Sequence, residues 1–228
     1  IEFSKDLNHC FVSAGSGIWR IDGLGSVYTS DPDFATKAGY KNATTPPSAL
    51  VRTKIVSSGT YEGIALNISN PNDLILFSGF GGATKRTNNA LSNSPSFTSL
   101  ANITTPTNVA CYDGIIDRED PDILVVGTST GVFISEDGGL SWSKPSTNGF
   151  DGTPVYEVRQ SWRTWAEGCT KSGEIYLGTY GRGLWVSSEL VGLDEQSNGK
   201  LKGITTNLKM YPNPTNSIST LSFNLSFL

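Results

Sequence analysis

The sequence predicts an all-β fold built from four successive four-stranded antiparallel sheets, and three observations carry the prediction. Apolar and β-branched residues alternate in short runs bounded by Gly, Asn, Asp and Ser, while no stretch of ten residues sustains the 3.6-residue apolar period of a helix. Four units can be laid over one another, with Gly15, Gly79, Gly127 and Gly178 in matching places at intervals of 64, 48 and 51 residues. The 25 glycines in 228 residues suit many tight turns. Periods of this length fit the blades of a β-propeller, whereas a plain β-sandwich would not need the repetition.

The first unit, about 1–57, places strands in IEFSKD, CFVSAG and GIWRIDG, then in ALVRTKIV after a polar insertion from Tyr28 to Ser48. The second, about 58–104, uses YEGIALNIS, DLILFSG, ATKRT and SFTSL in the same places. In the third, about 105–149, the strands are VACYDGII, DILVVGT, GVFIS and LSWSK. The fourth, about 150–190, runs PVYEVRQSW, EIYLGTY and GLWVSS, and is expected to lack an outer strand. Residues 191–206 read as a solvated linker, and 207–228 as the start of a further small β-sandwich, punctuated by Pro212 and Pro214.

Composition narrows the function classes. A net charge of −4, with no basic cluster longer than Lys85-Arg86, disfavours nucleic acid as a partner. The longest aliphatic run, Ile123 to Val126, is far short of a membrane helix, so no transmembrane segment is expected. His9 is the sole histidine, and Cys10, Cys111 and Cys169 are widely spaced, which argues against a zinc or copper centre and against a histidine-dependent triad. No cofactor is expected, although Asp31, Asp33 and Asp73 in polar loops leave calcium open. N-x-S/T sequons begin at Asn42, Asn67, Asn102 and Asn224. The chain starts at Ile1 with neither Met nor a signal peptide, and a fragment with further blades upstream is the expectation.

Two motifs carry resemblances. In the stretch Gly127 to Trp142, Ser135 to Gly139 form a turn between β-prone runs, with the short Asp137 carboxylate suited to accepting backbone N–H bonds. Ser135, Asp137, Gly139 and Trp142 resemble the Asp-box, or BNR repeat, of sialidases, sortilin-like proteins and secreted bacterial β-propellers. That resemblance implies a structural turn remote from any active site. GTYGRGLW, from Gly178 to Trp185, is similar to the last-blade motif of secreted propellers that include relatives of xyloglucan-cleaving glycosidases. Tyr211, Pro212, Asn213 and Pro214 resemble the opening of the C-terminal sorting domain on type IX secretion cargo of Bacteroidota. This implies export to the outer cell surface or medium, with the translocation machinery as a partner.

Ligand-binding candidates are Tyr156, Arg159, Trp162, Arg163 and Trp165, on or just after one predicted strand, with Tyr180 and Arg182 in the GTYGRGLW turn. Aromatic faces beside guanidinium groups suit sugar rings and carboxylates. The same residues also suit packing between blades and ion pairs with neighbouring acids. Asp113, Asp117, Glu119, Asp120, Asp122, Glu157 and Glu167 are available as acids, but sequence gives no separations, and no catalytic residue is assigned. The DREDPD cluster, Asp117 to Asp122, is expected to be a solvated loop. The functional expectation is a non-catalytic module recognising a polysaccharide or surface protein. A glycoside hydrolase of xyloglucanase or sialidase type, and a structural component of a surface assembly, are the alternatives.

Overall fold

The computed structural model describes residues 1–25, 50–79, 84–103, 109–145 and 152–187, and the backbone of Leu208–Tyr211. The fold is all-β, with fifteen strands in four antiparallel sheets among the described residues. The chain divides into two compact units, Ile1–Leu100 and Ala101–Leu228. In the first unit, β1 (Glu2–Phe3), β2 (His9–Ser13), β3 (Ile18–Asp22) and β4 (Val51–Val56) make one sheet. Its second sheet joins β5 (Gly63–Leu66), β6 (Leu74–Phe77), β7 (Lys85–Thr87) and β8 (Thr98–Ser99). In the second unit, β9 (Cys111–Ile116), β10 (Leu124–Thr128) and β11 (Gly131–Ser135) form one sheet. Its companion holds β12 (Val155–Gln160), β13 (Ile175–Thr179), β14 (Leu184–Ser187) and β15 (Leu208–Tyr211). Among the described residues each strand pairs with its neighbours in sequence, the meander of a propeller blade.

Burial explains the strand sequences. β6 and β10 are buried along their whole length, which is why LILF and LVVGT read as continuous runs rather than alternating ones. Phe11, Ile18, Ile64, Leu74 and Leu76 centre the core of the first unit. In the second, Val125, Val132 and Ile134 pack with Val155, Val158, Leu177 and Trp185 of the following sheet. Gly127 permits this approach, because a Cβ there would stand 2.7 Å from the Val155 carbonyl oxygen and 2.9 Å from Val158 Cγ2. A side chain at this position would force β12 away.

Polar groups reinforce each unit. Arg20, 5% exposed, donates Nε–H to both Asp22 oxygens at 2.8 and 2.9 Å. Its Nη1 reaches the carbonyls of Ala90 and Ser92 at 2.8 Å, which joins the two sheets of the first unit. Buried Asp73 receives Arg86 through two 2.8 Å bonds and Asn67 through one of 3.0 Å.

Three expectations need correction. LSWSK does not form a ladder strand; it makes a single bridge, Ile134 to Ser143, through two 2.8 Å backbone bonds. Its polar groups serve other partners, since Ser141 bonds Asp137 and the Trp142 indole N–H donates to the Ala101 carbonyl at 2.9 Å. The fourth sheet does possess an outer strand, because Leu208–Tyr211 pairs along β14 from Leu184 to Ser187 and covers an edge that would otherwise stay unpaired. Asp117 is buried rather than solvated, accepting from the Glu119 and Asp120 amides at 2.9 and 3.0 Å and from Gln160 Nε2 at 2.6 Å. Glu119, Asp120 and Asp122 remain exposed, as expected of the rest of that loop.

Candidate functional site

The two first strands of the second unit share an irregularity. Along β9 the register steps from Asp113↔Gly127 to Cys111↔Thr128, leaving Tyr112 unopposed. Along β12 it steps from Val155↔Thr179 to Glu157↔Gly178, leaving Tyr156 unopposed. A β-bulge re-aims side chains, and here it turns both Tyr156 and Glu157 outward in succession. The two bulged tyrosines meet with ring centroids 4.5 Å apart and planes inclined by 31°. Tyr180, 72% exposed, stands edge-on to Tyr156 at 6.2 Å and 74°. Its amide donates to the Pro154 carbonyl at 2.9 Å, fixing the β13–β14 turn beside the start of β12.

Beside these rings lies a charged cluster. Asp113, its side chain 8% exposed, accepts from the Val158 amide at 3.0 Å and from Arg159 Nη1 at 2.7 Å. Arg159 Nη2 pairs with Glu157 at 2.9 Å, so one half-exposed guanidinium holds two acids from different sheets. Burial pushes the Asp113 carboxyl up to about 7. The Val158 amide and the Arg159 charge oppose that rise, while hydrogen bonding to Glu157 and its negative charge add to it. A face of aromatic rings with two arginine-held acids at its side can stack on a ring and exchange bonds with hydroxyl groups.

The seven sequence candidates do not form one site. Tyr156, Arg159 and Tyr180 converge as described. Arg182 lies exposed in the Tyr180 turn, where its carbonyl accepts from the Trp185 indole at 3.0 Å. Trp162, Arg163 and Trp165 lie beyond the other end of β12, Trp162 being about 20 Å along an extended strand from Tyr156. There the Arg163 guanidinium stands 5.7 Å over the Trp162 ring, and Trp165 projects half-exposed from a 3-10 turn capped reciprocally by Thr164 and Glu167.

Sequence reasoning missed Tyr112 and treated Asp113 and Glu157 only as available acids. The signal was a tyrosine-acid dipeptide ahead of a matched glycine: Tyr61-Glu62 before Gly79, Tyr112-Asp113 before Gly127, Tyr156-Glu157 before Gly178. In the second unit those glycines lie opposite the acids. The first-unit copy is different, because Tyr61 is buried and its carbonyl accepts from Ser13 Oγ at 2.7 Å.

Other candidates have defined places. Asp137 accepts from the Ser141 amide at 2.8 Å, the Ser141 hydroxyl at 2.5 Å and the Ser135 hydroxyl at 2.8 Å. The Ser141 bonds, followed by Ser135, bring its carboxyl down to about 2. Ser135 Oγ also accepts from the Gly139 amide at 2.8 Å. His9 Nδ1 contacts Asp22 at 2.7 Å, within the Arg20 cluster. Cys10 and Cys111 are buried thiols in strands; Cys169 lies half-buried between β12 and β13, 3.2 Å from Ser161 Oγ. Among the described residues no three His, Cys, Asp or Glu side chains gather as a metal group, and no helix is long and apolar enough to cross a membrane. Asp73 is engaged by Arg86, whereas Asp31 and Asp33 lie outside the described residues. The Asn67 sequon is buried, with its amide bonded to Asp73, Ser69 and Asn70; Asn42 and Asn224 lie outside the described residues. Tyr211 ends β15, and Pro212, Asn213 and Pro214 lie outside the described residues.

Fold and site together define an all-β protein of propeller-type blades with an aromatic face flanked by paired acids. No family model matches the chain. No curated protein matches it. Among solved structures it is similar to the GH74 xyloglucanase of Xanthomonas campestris, at 15% identity and a TM-score of 0.48, over 81% of this chain and 28% of that one. It is similar to the GH74 enzyme of Niastella koreensis at 17% and 0.48, over 82% and 27%. An ancestral GH74 enzyme gives 14% and 0.47, over 91% and 28%. The chain therefore spans less than a third of the length of each.

Proposed function

We propose that this chain is part of a larger, exported β-propeller that recognises carbohydrate without cleaving it, using the face formed by Tyr112, Tyr156 and Tyr180. The supporting observation is the pair of bulges that brings two tyrosines into contact beside Asp113, Glu157 and Arg159. Flat aromatic rings flanked by hydrogen-bonding groups suit the apolar face and hydroxyl rim of a sugar. On this reading the Ser135–Trp142 turn is an Asp-box with a structural task, and the segment beginning at Tyr211 directs export through the type IX machinery.

A second reading, glycoside hydrolysis, is favoured by the raised Asp113 carboxyl, since a glycosidase acid needs its proton near neutral pH. Asp113 and Glu157 do not make the required pair. Both are taken up by the Arg159 guanidinium, at 2.7 and 2.9 Å, whereas the two carboxyls of a glycosidase stand on either side of the bond they cleave. Isothermal titration of the chain with β-glucan oligosaccharides and sialosides, with product analysis of the same mixtures, separates the readings. Saturable binding without products, weakened by Tyr156→Ala, is the expected result. Release of shorter sugars would replace recognition with hydrolysis, and binding insensitive to Tyr156→Ala but lost in Trp162→Ala would move the site to the other end of β12.

A further inference from the structure

The guanidinium beside the tyrosine rings is already engaged. Arg159 Nη1 donates to Asp113 at 2.7 Å and to the Val158 carbonyl at 3.1 Å, and Nη2 pairs with Glu157 at 2.9 Å. These two terminal nitrogens form the fork that grips a carboxylate in bidentate fashion, and each serves an acid of the protein itself. The two acids are held differently. Asp113, on β9, is 8% exposed and also accepts from the Val158 amide at 3.0 Å. Glu157 has 60% of its side chain exposed and directly follows Tyr156, itself half-exposed. Their Cα atoms are ~3.8 Å apart, so a sugar stacked on Tyr156 has its substituents within reach of the Glu157 carboxylate.

We propose that Glu157 is a specificity-determining residue that closes Arg159 to acidic ligands, so that the tyrosine face accepts uncharged sugars and refuses those that carry a carboxylate. This rests on the tyrosine face being the binding surface. A ligand carboxylate arriving at Tyr156 meets Glu157 as a like charge, and it reaches the fork only by displacing Glu157 from Nη2, one ion pair exchanged for another. A hydroxyl group meets no such opposition, since it can donate to the exposed Glu157 carboxylate while Arg159 stays in place. An arginine among aromatic residues suits acidic sugars by composition; the two acids that occupy this one reverse that preference.

The test compares, by isothermal titration, a β-1,4-glucan tetrasaccharide with the matching tetraglucuronate, in which each C6 hydroxymethyl is replaced by a carboxylate. The native chain should bind the neutral sugar at least about tenfold more tightly. Glu157→Ala bares Nη2, and affinity for the glucuronate should rise about tenfold or more, the contribution of one charge-assisted pair, while affinity for the neutral sugar changes by less than about threefold. Glu157→Gln, which keeps an acceptor for Nη2 but loses the charge, should give a smaller rise. Added salt should weaken the new binding. A second readout is direct: the Arg159 guanidinium resonances should shift when glucuronate is added to Glu157→Ala and stay fixed when it is added to the native chain. Equal affinity of the native chain for both sugars, or a preference for the glucuronate, overturns the closure and leaves recognition standing. A neutral preference that Glu157→Ala leaves unchanged, with fixed guanidinium resonances, overturns it as well. Uptake of glucuronate by Glu157→Ala when the native chain binds neither sugar upholds the closure of Arg159 and overturns glucan as the ligand. Binding of neither sugar by any of the three chains overturns both.

Discussion

Replacing Gly127 with alanine probes a close approach between two sheets of the second unit. The new Cβ would lie 2.7 Å from the Val155 carbonyl oxygen, 2.9 Å from Val158 Cγ2 and 3.0 Å from Val155 Cγ1. Ordinary contacts need about 3.5 Å, so β12 must retreat by roughly 0.5 Å or more. Val155 and Val158 are fully buried, and the nearest obstacle is backbone, so rotamer changes alone cannot relieve the clash. Overpacking of this kind costs about 1–3 kcal/mol, and the lower unfolded-state entropy of alanine returns about 0.5–1 kcal/mol. Taken at the middle of those ranges, the net loss is about 1–1.5 kcal/mol. Urea denaturation should move to a midpoint lower by about 0.5–1 M with an unchanged slope. Gly178→Ala is the milder comparison, because its Cβ would meet Glu157 Cβ at 3.1 Å, with the Glu157 amide nitrogen at 3.9 Å, and a shift of a few tenths of an ångström relieves it. If Gly127→Ala matches the native chain, or Gly178→Ala costs more, the two sheets do not pack as described.

Three further outcomes follow from the same contacts. Asp113 holds its proton to about 7 when folded and to about 3.8 when unfolded, so its contribution to stability is complete below about 4 and is lost as pH rises through 7; chemical denaturation across that window should show the decline, and Asp113→Asn should flatten it. Asp137 has the opposite sign, with a folded value of about 2, so its contribution is present above about 4 and is lost as pH falls through 2; Asp137→Asn should flatten the acid limb of the thermal unfolding profile. Arg20→Met takes the guanidinium from Asp22, which keeps His9, and from the Ala90 and Ser92 carbonyls, and the first unit should lose about 3 kcal/mol in urea unfolding.

The blades were legible because each strand advertises its environment through its own residues. LILF and LVVGT are apolar throughout and buried throughout, and the repeat glycines marked corresponding positions. Gly127 and Gly15 occupy matched places for different reasons, however: the first admits β12, while the second adopts a φ of +62° with open space around it. LSWSK alternates like a strand, yet turn hydrogen bonds claim its polar groups, and competition of that kind has no periodicity to detect. The site was half legible. Tyr156, Arg159 and Tyr180 stood out, but Tyr112 became relevant only through a bulge, a one-residue register slip that brings distant segments together. Trp162 and Trp165 share the composition of the site but not its location, because an extended strand separates its two ends.

The meander has a consequence for how the chain comes together. Partners adjacent in sequence meet after short loop closures, so most of each sheet can form as soon as its own stretch of polypeptide is available. β15 is a late arrival, as β4 is in the first unit, since residues 188–207 intervene before it can dock on β14 and residues 23–50 before β4 can dock on β3. Until β15 docks, the four-residue β14 presents bare amides and carbonyls to its surroundings, and its shortness limits what a stray neighbouring chain could grip.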